Sequence, residues 1–398
     1  MTPTFSVIVP CYNHANYLGD ALESILSQTF QSWEAIIIDD GSKDRTAEIA
    51  DLFAKRDNRI RYVYQDNQGL AAARNTGIRA ANGELIALLD ADDKYTLHFL
   101  EKSLAAIKSN ERIGAVYSGF QFMSKEGEPF RNSVVKVLPP ESFHDAVLKD
   151  NWLSPCSVVT FRCNYLDTGL FDETLRACED ADMWIRLSKK YLFVGIPDVL
   201  VWVRRMGTNM TDDTDRMVKA RFAVCEKHLG TSSGSPAEWS PLKRDAYTTI
   251  HISGVYGYLA QGRFADSAKH LKWLLEFSPH LAQSLDIWYS MACAHQVFGQ
   301  WGEFSTWDAD RAQHDLSGIL GSLANNEEDF QTNILAGQAH LAMALLSYGK
   351  GDLERSRKYY KQGIRFWPRS IVSKKVMNLG IRLLPGIQTI SRYLKIQH

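Results

Sequence analysis

Residues 83–93 read GELIALLDADD. Five apolar residues, Leu85 to Leu89, run straight into Asp90, Asp92 and Asp93. A run that short and that apolar reads as a strand buried on both faces. Three carboxylates within four positions repel one another and resist burial. They form either a solvated loop or a seat for something positive.

Strand and helix signals alternate outward from this stretch. FSVIVP (Phe5–Pro10) and WEAIIIDD (Trp33–Asp40) read as strands, with helical periodicity over Tyr17–Gln28 and a helix starting near Thr46. RIRYVY (Arg59–Tyr64) is a third strand, Leu70–Ala81 a helix and ELIALLD (Glu84–Asp90) a fourth strand. The alternation predicts an α/β fold with a mostly parallel central sheet flanked by helices. Sheets of this kind bind ligands beyond the carboxyl ends of their strands, where the three aspartates fall. From about Gly114 to Asn209 the pattern loosens, with one helix near Asp180–Lys190.

GTSSGSP (Gly230–Pro236) has the composition of a linker, and the chain is helical after it. GRFADSAKHLKWLLEFSP (Gly262–Pro279) aligns with GDLERSRKYYKQGIRFWP (Gly351–Pro368), Gly and Pro at the same offsets. That is the helix–turn–helix grammar of tetratricopeptide-like repeats. The expected division is a first domain over 1–229, a linker over 230–240, an all-α repeat-like domain over 241–369 and a basic tail over 370–398. The tail has Lys374, Lys375, Arg382, Arg392 and Lys395 and no acid. It either lies in a membrane interface or packs against the repeat helices.

The 398 residues carry a formal net charge of -1, which gives no reason to expect nucleic-acid binding. Six cysteines show neither a C-x-x-C pair nor zinc spacing, so reduced thiols are expected. The N-terminus lacks the features of a signal peptide, and no stretch approaches the roughly 20 apolar residues of a membrane span. The expectation is a cytoplasmic protein, free or peripheral on the inner face of the membrane.

Other acids repeat the theme of the opening stretch. Asp39 and Asp40 end IIIDDGS, and Glu179 and Asp180 open a helix in ACEDADMWIRL. Asp44 and Asp182 read as turn or cap residues, and Trp184 as core. Carboxylates at a sheet edge are hard ligands, suited to Mg2+ or Mn2+ beside a diphosphate. An EF-hand fails on DADDKYTLHFLE, because Tyr95 stands where that loop needs Gly. G-x-G-x-x-G, the P-loop pattern and H-E-x-x-H are all absent. A carboxylate apart from the metal cluster, Asp180, could take a proton from an incoming hydroxyl.

SVIVPCYNHANYLGDALESILSQTF, EAIIIDDGSKDRT, GLAAARNTGIRAANGELIALLDADD and CEDADMWIRL, in that order, resemble the family 2 glycosyltransferases of the GT-A fold. The similarity covers roughly residues 4 to 210. It implies an inverting transfer of sugar from a nucleotide-diphosphate donor, most often a UDP-sugar, to a glycan or lipid-linked acceptor. By that resemblance Pro10 and Tyr12 hold the base and sugar, Asp40 hydrogen-bonds the base, and Arg74 lies near the nucleotide. Asp90 and Asp92 form the D-x-D-like motif; Asp92 or Asp93 binds Mn2+ or Mg2+ and another acid the ribose. Asp180 is the implied general base, with Glu179 beside it.

Two departures stand out. RRMGTNMT places Met206 where the family commonly has His, leaving Arg204 or Arg205 to substitute. The Q-x-x-R-W motif of processive synthases is missing, which favours adding one or a few sugars. A rival reading is an adaptor with a degenerate transferase domain. A nucleotidyltransferase is disfavoured, because CYNHANYLG is not a Gly-rich basic loop. Sugar choice is expected to lie in Ser118–Asn132 and Asn151–Cys163. The helical half is expected to recruit a protein partner, self-associate or shape the acceptor site.

Overall fold

The structure, a computed structural model, describes residues 2–207, 209–282, 284–297, 300–323 and 330–383. They fall into two compact units, one running to Ser233 with Ser240–Tyr247, the other holding Gly234–Trp239 and the described residues from Thr248.

In the first unit the strands are β1 (Phe5–Cys11), β2 (Trp33–Asp40), β3 (Ile60–Gln65), β4 (Leu85–Leu88), β5 (Lys94–Tyr95), β6 (Ile113–Met123), β7 (Pro129–Val134), β8 (Val158–Phe161) and β9 (Leu192–Arg204). The helices are α1 (Ala15–Leu26), α2 (Thr46–Arg56), α3 (Leu70–Ala80), α4 (Phe99–Ile107), α5 (Pro140–Lys149), α6 (Arg162–Thr168), α7 (Glu179–Ser188) and α8 (Thr214–Leu229). These strands form one sheet in the order β3-β2-β1-β4-β8-β6-β9-β5, with β7 hanging on β6. β3, β2, β1 and β4 are mutually parallel, as the alternation predicts. β8 then runs antiparallel between β4 and β6, and β9 returns parallel to β6, so the sheet as a whole is mixed.

Every residue of β1 and β2 is buried, which is why each carries an apolar stretch with no polar alternation, Val7–Val9 in β1 and Ala35–Ile38 in β2. Their period of two sorts them between two cores. Val7, Val9, Ala35, Ile37 and Leu85 face the helices α1, α2 and α4; Ile8, Ile36, Ile38, Ile86 and Leu88 face α3 and α7. α3 lies so close to β1 that a Cβ on Gly77 would stand 2.2 Å from Ile8 Cγ2. Trp184 is fully buried in the second core, edge-on to Phe171.

The helical unit repeats as its sequence predicts. Helices Phe264–Phe277 and Leu353–Phe366 each follow a longer one, Pro241–Ala260 and Phe330–Lys350. Ser267 Oγ donates to Val255 O and Ser356 Oγ donates to Ala344 O, both at 2.8 Å and both across the same sequence interval. Matching serines thus pin matching helix pairs. The tail reading falls partly on residues 384–398, outside the described residues.

Candidate active site

Parallel register brings the expected acids to one edge. Cys11 pairs with Asp39 across β1 and β2, and Ile8 with Leu88 across β1 and β4. Asp40 therefore ends β2 beside Tyr12, the residue after β1, and Asp90 lies two residues past β4; Pro10 is still buried within β1. Tyr12 is 46% exposed, so it is not a packing residue.

Asp39 and Asp40 have different work. Asp39 accepts from Ser42 N–H and the Tyr62 hydroxyl, both at 2.8 Å. Asp40 Oδ1 accepts from Gln65 Nε2 at 2.7 Å and Gln68 N–H at 2.9 Å; its Oδ2 accepts from Gly69 N–H at 2.8 Å. Gly69 sits at φ +97°, a conformation that turns its N–H onto Asp40 and that a side chain resists. Asp40 so fixes the start of α3 and leaves Oδ2 with acceptor capacity. Asp44 caps two helices at once, accepting from Ala15 N–H and Thr46 N–H.

One turn into α3, Arg74 is 1% exposed and joins two distant segments. Its guanidinium donates to Glu179 Oε1 at 2.7 Å and to Asp90 Oδ1 at 2.9 Å. Burial opposes its charge, but Asp90, Glu179 and Asp180 outweigh that and push its pKa up. This is no surface salt bridge; it gathers the β4 edge and the α7 start into one site.

Glu179 and Asp180 occupy the first turn of α7, where the helix dipole favours carboxylates. Cys178 ahead of them holds a left-handed φ of 58°, uncommon for a residue with a side chain. Glu179 is buried, and burial raises its pKa against the opposing charge of Arg74. Asp180 is part-exposed, and there too burial prevails over Arg74, with a net upward shift. Asn151 Nδ2 donates to Asp180 Oδ2 at 2.9 Å. Asp182, read as a cap from sequence, is a fully buried ion-pair hub instead. It takes Arg186 on one oxygen and His228 and Lys227 on the other, tying α7 to α8.

The D-x-D-like segment folds back on itself, with Asp93 N–H donating to Asp90 O at 2.9 Å. Asp90, Asp93 and Cys156 each bring a ligand atom within 4.8 Å of the others. Burial and then the Asp90 charge raise the pKa of Asp92; burial, then Asp92 and Asp90, raise that of Asp93 well above its ordinary value. Burial also pushes the Cys156 thiol up, so it stays protonated and donates to Asp93 Oδ2 at 3.3 Å. Crowded carboxylates that resist ionisation, beside a thiol that is not a thiolate, suit a hard divalent cation held by oxygen. The residues present fit Mg2+ or Mn2+. Of the expected pair, Asp93 belongs to the close cluster, and Asp92 stands outside it.

Neither arginine expected to replace the missing His is available. Arg204 is buried, donates Nε to Asp92 O at 2.9 Å, NH2 to Asp20 at 2.8 Å and NH1 to Lys125 O at 2.7 Å, and its N–H meets Asp93 Oδ1 at 2.9 Å. Arg205 pairs with Asp212 and Thr211. Arg204 clamps the acidic loop by its backbone, and Arg205 fastens the loop after β9. Sequence reasoning included Asn151 and Cys156 only within the segment Asn151–Cys163 expected to set sugar choice, and gave neither of them a contact to the acids. Neither stands in one of the four quoted motifs. A shallow groove of about 660 Å³ lies elsewhere, lined by Asn75, Arg79, Asp172, Glu173, Arg186 and Lys227 among others. Its charges pair among themselves or with Asp182, and none of the edge acids reaches it.

A mixed sheet flanked by helices, with acids gathered at the carboxyl ends of its parallel strands, defines a GT-A domain. The model of the family "Glycosyl transferase family 2" matches residues 6–170. The chain is 33% identical over 227 residues to the "Putative teichuronic acid biosynthesis glycosyltransferase TuaG" of Bacillus subtilis, covering 56% of this chain and 87% of that protein. It belongs to glycosyltransferase family 2. An "Uncharacterized glycosyltransferase" of Rickettsia bellii is 34% identical over 206 residues, 52% of this chain. The chain spans 29% of the length of that protein and 34% of a second Rickettsia relative. A mannosyltransferase from Pyrobaculum calidifontis, solved with GDP-Man and Mn2+, overlays with a TM-score of 0.49 at 17% identity, over 82% of this chain and 89% of that one. That likeness is too loose to carry its ligands across.

Proposed function

We propose that the chain transfers a sugar, with inversion, from a nucleotide-diphosphate donor to a hydroxyl of a glycan or lipid-linked acceptor. The carrying observation is Arg74, which joins Asp90 to Glu179 and so sets Asp180 beside the acidic edge. A UDP-sugar is the favoured donor. Asp40 Oδ2 keeps acceptor capacity for the base, Tyr12 offers an exposed ring, and Pro10 lies one residue before the end of β1. Asp93 and Asp90, with Asp92 between them in sequence and able to join on binding, would hold Mg2+ or Mn2+, which when bound would offset charge on the departing diphosphate. Asp180 is the general base. Asn151 occupies its Oδ2, which leaves Oδ1 to take the acceptor proton, and an upward-shifted carboxylate is the better base. Positive charge builds on the sugar ring as the acceptor oxygen attacks opposite the leaving group, and a single displacement inverts the anomeric carbon. Glu179, held by Arg74, keeps the α7 start in place. The helical unit is left to recruit a partner, self-associate or shape the acceptor site.

Thermal unfolding with UDP, GDP, CDP, ADP and dTDP, each with and without Mn2+, tests this. A ligand at a hundredfold its dissociation constant stabilises by about 2.7 kcal/mol. We expect a Mn2+-dependent shift with one nucleotide, lost in Asp92→Asn and kept in Asp180→Asn. No shift with any nucleotide would return the chain to the adaptor reading.

A further inference from the structure

The end of the helical unit carries a surface unlike the rest of it. After Glu354 the sequence holds eleven Lys and Arg and no Asp or Glu. Helix Lys374–Leu383 buries Val376, Leu379 and Leu383, one helical face. Lys374, Lys375 and Arg382 stand exposed on the remainder, with Met377 46% exposed between them. The preceding turn, Pro368–Val372, buries Ser370 but leaves Ile371 49% and Val372 85% exposed. Val372 is the most exposed large apolar side chain among the described residues. Phe366 and Arg365, ending the helix before, are exposed as well. Asp286 reaches this surface through Lys375 at 2.6 Å, and both side chains are so exposed that the pair is weak.

Single apolar residues on a surface need no explanation, but four within twelve positions, rimmed by cations, mark an interaction site. We propose that Phe366–Arg382 is a docking surface for an anionic lipid membrane. A nucleic acid would match the charge but gives Ile371, Val372 and Met377 nothing to pack on. A lipid surface matches both, with the apolar groups at the acyl boundary and Arg369 and Lys374 among the phosphates. The surface would bring the transferase to lipid-linked acceptors. It does not depend on the donor reading, because vesicle binding needs no nucleotide.

The test is co-sedimentation of the full chain with vesicles of pure phosphatidylglycerol and of pure phosphatidylcholine, at low and high salt. Wild type is expected to partition onto phosphatidylglycerol alone, less so in salt. Each basic residue at such a surface is worth about fivefold in partition, so Arg369→Glu/Lys374→Glu should lose more than tenfold. Ile371→Ser/Val372→Ser should also lose severalfold, and the control Lys55→Glu/Arg56→Glu nothing. Unchanged thermal midpoints confirm that the variants fold, since all these positions are exposed. Equal binding to both lipids, or full binding by either surface variant, would overturn the proposal. So would variants that alter only the oligomeric state, or a charge variant that loses binding while the Ile371/Val372 variant keeps it.

Discussion

Asn151 donates its side-chain N–H to Asp180 Oδ2 at 2.9 Å while its own Oδ1 faces Leu153 N–H at 3.3 Å. The backbone contact fixes which end of the amide meets the acid. That bond lowers the Asp180 pKa against the dominant effect of burial. In Asn151→Ala the carboxylate should titrate higher and swing more freely. We expect kcat to fall about ten- to a hundredfold, donor KM to hold, and the acidic limb of the pH–rate profile to move to higher pH. An unmoved limb would mean that Asn151 serves the loop and not the base.

Arg74 is a single side chain between two buried or half-buried acids. Arg74→Met leaves Glu179 without its counter-charge and should destabilise by about 3–5 kcal/mol. Arg74→Lys keeps the charge but cannot reach Glu179 and Asp90 in two directions, so it should recover only part of the loss. Urea unfolding followed by tryptophan fluorescence measures both. A lysine variant as stable as wild type would show that the fork geometry is immaterial.

The parallel half of the sheet was readable because its signal is local. In β1, β2 and β4 the residues that form a strand are also the residues that bury it, so a short apolar run is the whole message. The order Asp40, Arg74, Asp90, Glu179 was readable for a similar reason, since each sits in its own motif. The remainder depends on partners far along the chain. β8 pairs with β4 across more than seventy residues, Cys156 reaches Asp90, and Asn151 reaches Asp180, and nothing near Cys156 or Asn151 announces it. Asp182 was misjudged because a buried hub and an exposed cap look alike in sequence. What separates them is Lys227 and His228, contributed by α8.

Asp182 makes a pH prediction of its own. His228, Lys227 and Arg186 hold its pKa below the ordinary 3.8 despite burial. A depressed carboxylate contributes stability that is present above the unfolded pKa and lost as pH falls through it toward the folded value. Asp182→Asn should therefore be less stable than wild type near neutral pH, by about 3 kcal/mol. The gap should close in acid below about pH 4. A gap that stays constant with pH would assign the effect to packing alone.

His251 has the opposite charge type and the same direction of response. It stacks on Trp273 with centroids 4.1 Å apart and meets His270 across 3.1 Å, nitrogen to nitrogen. Burial, then the charge His270 would carry, lowers its pKa from 6.5 to about 3. The unfolded chain takes up a proton near 6.5 that folded His251 refuses until far lower pH. Stability is thus full above 6.5 and is lost as pH falls from there toward 3. Between pH 7 and pH 5 the linkage amounts to about 2 kcal/mol. His251→Phe preserves the stack on Trp273 and removes the titration, so its unfolding free energy should fall less over that interval. His270, also lowered by burial, leaves a residual slope in both proteins. Parallel slopes for wild type and His251→Phe would mean that the His251 ring is protonated in the folded chain.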